Sequence, residues 1–147
     1  MAKRTIVIEG DDLLRKISKP VTKFDNKLAE LLDDMRDTMR ENDGCGIAGV
    51  QVGVLRRVFI IEAEGMYLEC VNPEIECSSG SEVGVEGCLS VPNRRGNVAR
   101  PTKLTLKAYT REGTPFEIVA NDFLARVISH EFDHLNGVLY IDKLVTE

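Results

Sequence analysis

Ser129-His130-Glu131-Phe132-Asp133-His134-Leu135-Asn136-Gly137 is the stretch on which the reading of this chain turns. It carries the only two histidines of the 147 residues, four positions apart. On a helix, residues i and i+4 stack one above the other, so both imidazoles can face a single metal ion. Glu131 lies about 100° round the helix from His130. From there its carboxylate can reach a water beside the ion without taking a ligand position. Two His ligands with an adjacent Glu base form the arrangement of metal-assisted amide hydrolysis. The competing reading is an amphipathic helix whose histidines are only packed or solvated. The flanking pattern argues against it. Phe123, Val127, His130 and His134 share one face, and Leu124, Ile128, Glu131 and Leu135 the next. A helix apolar over so much of its circumference is buried, and buried imidazoles need partners. Its expected limits are Asn121-Asp122, which can cap it, and Gly137.

Composition bounds the rest. A formal net charge of −5 argues against a dedicated nucleic-acid or membrane-surface binder. The basic runs are only pairs: Lys3-Arg4, Arg56-Arg57 and Arg94-Arg95. No stretch is apolar enough to span a bilayer, and acid at Asp11-Asp12 follows the short apolar start too soon for a signal peptide. Cys45, Cys70, Cys77 and Cys88 lack paired C-x-x-C spacing, which excludes a zinc knuckle or a thioredoxin-type motif. Reduced thiols and a cytoplasmic location are expected.

No repeat or linker interrupts the sequence, so residues 1–147 are expected to form one domain. Phe24 to Asn42 reads as an amphipathic helix with Leu28, Leu31, Leu32, Met35 and Met39 on one stripe, stopped by Gly44. Arg57 to Ile61 and Tyr67 to Val71 read as strands. Leu104 to Tyr109 and Phe116 to Ala120, with Glu112-Gly113 between them, read as an antiparallel hairpin. A helix, many strands and a second helix predict an α+β fold: mostly antiparallel sheets around a central metal-binding helix.

A catalytic metal site needs a third protein ligand and an open position. Downstream of His134 the early carboxylate is Asp142, which follows Val138-Leu139-Tyr140-Ile141, a run that reads as a packing strand. The third ligand is therefore expected upstream, in Glu86-Gly87-Cys88-Leu89-Ser90, where Gly84 and Gly87 read as punctuating a loop. A Cys88 thiolate is a good soft ligand for a divalent transition metal. Cys45, Cys70 and Cys77 read as ordinary small hydrophobes. Gly44-Cys45-Gly46-Ile47-Ala48-Gly49-Val50-Gln51-Val52-Gly53 is glycine-rich but lacks the ending of a phosphate loop. Its one polar side chain, Gln51, can either bond backbone or donate to an oxyanion.

Together the three motifs resemble the peptide deformylase family, which carries G-x-G-Φ-A-A-x-Q, E-G-C-L-S and H-E-x-D-H in this order. The chain shows Gly44 to Gln51, Glu86 to Ser90 and His130 to His134. Asp12-Leu13-Leu14-Arg15-Lys16, Val91-Pro92 and Asn136-Gly137-Val138-Leu139 extend the resemblance over almost the whole chain. Ile47 replaces the usual Leu, Gly49 the usual second Ala, and Ser129 a frequent Gln. The resemblance implies the deformylase fold and removal of the formyl group from the N-terminal formyl-methionine of nascent polypeptides. It implies Cys88, His130 and His134 as ligands of one Fe(II), with Ni, Co or Zn able to substitute. Glu131 would carry protons, and Gln51 with the backbone N–H of Leu89 would stabilise the oxyanion. Gly46 and Ile47 would line the mouth of the cleft, and Val127 and Phe123 the methionine pocket. Glu86 and Ser90 would orient the metal loop. Longer members continue into a C-terminal helix whereas this sequence stops at Glu147. The expected partners are nascent formyl-methionyl polypeptides and a possible transient ribosome contact, with no stable nucleic acid and no membrane, as composition indicates.

Overall fold

The structure, a computed structural model, describes residues 3–146. Met1 and Ala2, which open the basic N-terminal start, and the final Glu147 lie outside the described residues. After a short 3-10 turn at Asp12–Arg15 come α1 (Asn26–Glu41), β1 (Gly46–Ala48), β2 (Val58–Ala63), β3 (Met66–Ser79), β4 (Glu82–Cys88), β5 (Val91–Arg100), β6 (Lys103–Tyr109), β7 (Pro115–Asn121) and α2 (Asp122–His134). Five strands form one antiparallel sheet in the order β1-β2-β3-β6-β7, and β4 and β5 form a separate antiparallel pair.

Strand β2 explains the layering. Val58, Phe59, Ile60 and Ile61 are all fully buried, because successive side chains point to opposite faces of a sheet covered on both sides. Val58 and Ile60 join the core under α1 with Leu28, Leu32, Met35 and Met39. Phe59 and Ile61 join the core under α2 with Ala125, Ile128 and Leu135. Helix α2 also packs on β5, so it lies between the five-stranded sheet and the β4–β5 pair, central as the α+β reading required.

The boundaries correct the sequence in physical terms. Helix α1 starts at Asn26 because the Asp25 carboxylate accepts from Leu28 N–H at 3.1 Å, leaving Phe24 outside and exposed. Its stop uses Asp43 in the left-handed region (φ 57°), while Gly44 N–H returns to Met39 O at 2.9 Å. Helix α2 lacks the expected side-chain cap from Asn121 and ends at His134, not Gly137. Arg57 closes that end, donating to Leu135 O at 3.0 Å and to Asn136 Oδ1 at 3.1 Å. Gly137 has another reason: at φ 76° a β-carbon there would meet Arg15 O at 2.4 Å. Two further expectations fail. Val138 to Ile141 is no strand but leads into a 3-10 turn at Tyr140–Lys143. Gly84 and Gly87 lie within β4, not in a loop.

Candidate metal and catalytic site

Three elements converge on one cleft. Strand β4 ends at Cys88, and Leu89-Ser90 turns the chain back into β5. Successive turns of α2 present His130 and His134, whose rings lie 5.1 Å apart. The 3-10 turn Gly49–Val52 after β1 presents Gln51. One ligand atom from each of Cys88, His130 and His134 lies within 4.8 Å of the other two, and Cys88 Sγ is 3.4 Å from His134 Nε2. His130 and His134 are both buried.

The donor set fits a divalent transition metal. A soft sulfur and two imidazoles suit such an ion and leave one position open. His130 Nδ1 lies 2.9 Å from Glu86 Oε1, which turns Nε2 toward the cluster. Glu131 Oε1 and His134 Nδ1 are buried without a hydrogen-bond partner among the protein groups, a cost that points to missing company in the site. Charge points the same way. Burial alone would lower the His130 pKa, but hydrogen bonds to Cys88 and Glu86 outweigh it and raise it to about 10. A proton is thus drawn to a spot that a metal cation would take instead, since ligation requires neutral imidazole. His134 behaves oppositely, held well below its ordinary value by burial and by the charge of His130.

Glu131, on the neighbouring face of α2, is buried and lines the cleft. Burial pushes its carboxyl up to about 7, against the lowering pull of His130, into the range where a group can both take and return a proton. Gly46 is its neighbour: a β-carbon at Gly46 would stand 2.7 Å from Glu131 Oε2. Gln51 is buried, and its orientation is settled by Ala48 N–H, which donates to Oε1 at 2.9 Å. That turns Nε2 toward Ser90 Oγ at 3.1 Å and Cys88 Sγ at 3.6 Å. The backbone reading of Gln51 thus holds for its carbonyl end, while its amide end faces Ser90 and Cys88 at the cleft.

The cleft has a volume of about 900 Å³, and Gly46, Gln51, Cys88, Leu89, Phe123, Val127, His130 and Glu131 all line it. Phe123 is exposed at its rim and Val127 is buried. Ile47 is the exception among the expected residues. Its side chain is fully buried in the core under α1 and does not reach the cleft, because alternation along β1 turns it to the opposite face from Gly46. The wall at that point is the backbone of Gly46. Glu62 N–H donates to Cys45 O across the ladder at 2.8 Å, so the next residue, Gly46, aims its own amide and carbonyl away from β2 to the free edge of the sheet.

Two features escaped the sequence. Glu86 is held by Arg100 (2.9 and 3.0 Å) and Arg126 (2.7 Å), and Arg100 also pairs with Asp133 at 2.7 Å. Burial would raise the Glu86 pKa, but the bonds to His130 and Arg100 bring it down to about 2. The acids of the two motifs, Glu86 and Asp133, were the visible half of that network; their arginines stand outside any motif. The second feature is an N-terminal strap: Val7 N–H donates to Gln51 O and Glu9 N–H to Ser90 O, each at 2.7 Å, with no motif to announce it.

A cysteine sulfur and two helix-borne imidazoles close enough to share one ion, with a buried carboxylate beside them, form a group that can hold a metal of the kind hydrolases use. The polypeptide deformylase family profile matches residues 3–147. The chain is 52% identical to a peptide deformylase of Caldicellulosiruptor bescii over 99% of its length and 87% of that protein's. It is 44% identical to peptide deformylase 1 of Bacillus subtilis over 98% of its length and 91% of the relative's. The crystal structure of peptide deformylase from Thermotoga maritima superposes with a TM-score of 0.97 at 39% identity, covering 99% of this chain and all of that one. The chain belongs to the peptide deformylase family, enzymes that remove the formyl group from N-formylmethionyl peptides. The antiparallel sheets and two helices match that fold, and the Cys88–His130–His134 group accords with the metal dependence of the family. Among the described residues no helix is long and apolar enough to cross a membrane.

Proposed function

We propose that this chain hydrolyses the formyl amide of nascent formyl-methionyl polypeptides with Fe(II) held by Cys88, His130 and His134, and that Ni, Co or Zn can substitute. The observation that carries the reading is the burial of Glu131 against the cleft, beside the cluster of Cys88, His130 and His134. A divalent ion at these ligands supplies Lewis-acid activation of water and of the formyl carbonyl near neutral pH. Glu131 takes the proton from the attacking water as its oxygen bonds to the formyl carbon. It returns that proton to the nitrogen as the carbon–nitrogen bond breaks, which yields formate and a free amine. Gln51 Nε2 and the backbone N–H of Leu89 stabilise the negative oxygen that develops. The free edge at Gly46 pairs with the extended peptide, and Val127 and Phe123 receive the methionine side chain, whose thioether adapts to an irregular apolar pocket.

One catalytic domain accounts for residues 1–147, and transient ribosome contact would present the substrate. The cytoplasm is the proposed location; four unpaired cysteines favour a reducing compartment. The test is formate release from formyl-Met peptides by metal-loaded enzyme, compared with acetyl-Met peptides and internal peptide bonds. Chelation should abolish formate release and added metal restore it. Equal rates on formyl- and acetyl-Met peptides, or cutting of internal bonds, would refute the assignment.

A further inference from the structure

Arg126 belongs to none of the three motifs, yet it lies one helical turn before His130 on the same face of α2. Its side chain is only 12% exposed. Nη1 donates to Glu86 Oε2 at 2.7 Å and to Val98 O at 2.9 Å, and Nη2 donates to Glu82 O at 2.7 Å. One guanidinium thus reaches both strands of the β4–β5 pair and the carboxylate that orients His130. Glu86 is saturated by these bonds. Oε1 faces Arg100 Nη2 at 3.0 Å and His130 Nδ1 at 2.9 Å, while Oε2 faces Arg100 Nε at 2.9 Å and Arg126 Nη1 at 2.7 Å, which fills its acceptor sites.

We propose that Arg126 is a positioning residue for the metal site: it fixes the strand that ends in Cys88 against the helix that bears His130 and His134, and holds Glu86 on His130. The inference rests on the reading of those three residues as ligands. Cys88 arrives on β4 and the histidines on α2, so the spacing of the donor set depends on how the two elements are joined. Arg100, from β5, links the same two elements through side chains alone, Glu86 of β4 and Asp133 of α2, whereas Arg126 also binds main-chain carbonyls of β4 and β5. The sequence of β4 has made room for the join. A β-carbon on Gly84 would stand 2.9 Å from Arg126 Cζ and Nη2, and three acceptors prevent the guanidinium from yielding. Lysine cannot replace it, because an ammonium is a point charge where a planar fork is needed to span these acceptors.

The test uses full-length protein loaded with Co(II), following its loss to excess chelator and its visible absorption bands, alongside the thermal midpoint of the metal-free chain. Arg126→Met and Gly84→Ala should each speed cobalt loss by ~10–100-fold, as removal of outer-sphere partners typically does, and shift the bands. Arg126→Lys should fall between wild type and Arg126→Met. In the Arg126→Met background, Gly84→Ala should add nothing, because the new methyl then meets no guanidinium. Unchanged cobalt loss in both single variants, or a Gly84→Ala effect of the same size in both backgrounds, overturns the proposal. Gly84→Ala carries the test even if Arg126→Met fails to fold. A wild-type chain that takes up no cobalt would sink the ligand reading itself, whereas a wild type that binds it and variants that release it no faster sink only the role of Arg126.

Discussion

Gly46 and Glu131 lie so close that a β-carbon at position 46 would stand 2.7 Å from Oε2 and 3.1 Å from Cδ of the carboxylate, which would have to shift. The glycine of the first motif is therefore shaped by the glutamate of the third. Gly46→Ala should turn the Glu131 carboxylate away from the cleft while leaving the ligands in place. Turnover should fall on the order of 10²-fold, within the range of a displaced acid–base group, with metal content unchanged. Unaltered turnover in Gly46→Ala would mean the carboxylate has another productive position.

Removing the carboxylate gives the sharper division of roles. Glu131→Ala should hold near-stoichiometric metal and lose ~10²–10⁴-fold in deformylation, whereas His130→Ala should lose the metal itself. Metal analysis on both variants decides it. If Glu131→Ala loses metal as readily as His130→Ala, Glu131 is a ligand and not the proton carrier.

Gln51→Leu should fold, bind metal and turn over more slowly, by ~10²–10³-fold if its amide serves the oxyanion. Steady-state kinetics separates this from substrate binding. A rise in KM with unchanged kcat would make Gln51 a ground-state contact. Loss of the bonds to Ala48 N–H and Ser90 Oγ also loosens the join between the first two motifs, so a modest fall in thermal midpoint is expected with it.

Acid stability should depend on Glu62, on the far side of the sheet from the cleft. Arg40 and then Arg36 bond its carboxylate at 2.7–2.8 Å and hold its pKa at about 2, below the ordinary 4.5. A depressed folded-state pKa contributes stability that is present above the unfolded value and lost as pH falls through the folded one. The window is thus pH 4.5 down to 2. Glu62→Gln should be less stable than wild type near neutral pH, by ~1 kcal/mol or less for so solvated a pair, and the gap should close across that window. Urea midpoints at pH 7, 4 and 2.5 measure it; a gap that stays constant with pH would remove the ion pair from the account.

The gathering of Cys88, His130 and His134 was legible because all three lie in two short motifs. His130 and His134 need only the helical repeat to coincide, and the apolar run of β2 marked it as a strand. Where contacts between distant segments decide, the sequence was silent. Nothing in Arg100 or Arg126 forecasts a buried carboxylate between them, and nothing in Val7 or Glu9 forecasts a strap onto Gln51 and Ser90. Gly84 and Gly87 misled for a related reason. Glycine usually marks a loop, but Gly84 was needed for a guanidinium to pass over a strand. Ile47 misled because proximity to Gly46 in sequence means the opposite face on a strand.

The metal itself is the last matter the residues bear on. Two imidazoles and a thiolate discriminate weakly among Fe(II), Co(II), Ni(II) and Zn(II), and affinity alone favours the later metals. Cys88 is half-buried and lines the cleft, so dissolved oxygen can reach it. A thiol so placed can be carried up the oxidation ladder to forms that no reductant in the buffer reverses. Enzyme prepared with Fe(II) should therefore lose activity in air, and the fraction recovered on adding fresh Fe(II) should shrink with exposure time. Ni(II)- or Co(II)-loaded enzyme should last longer, since those ions resist one-electron oxidation by oxygen. Activity per bound metal, measured for anaerobically prepared Fe, Ni and Zn forms before and after air exposure, tests this, with mass spectrometry of the Cys88 peptide reading the thiol directly. An Fe form as durable as the Ni form, or a Zn form the most active of the three, would remove iron as the native ion. Loss of activity with Cys88 still reduced would move the damage from the ligand to the ion.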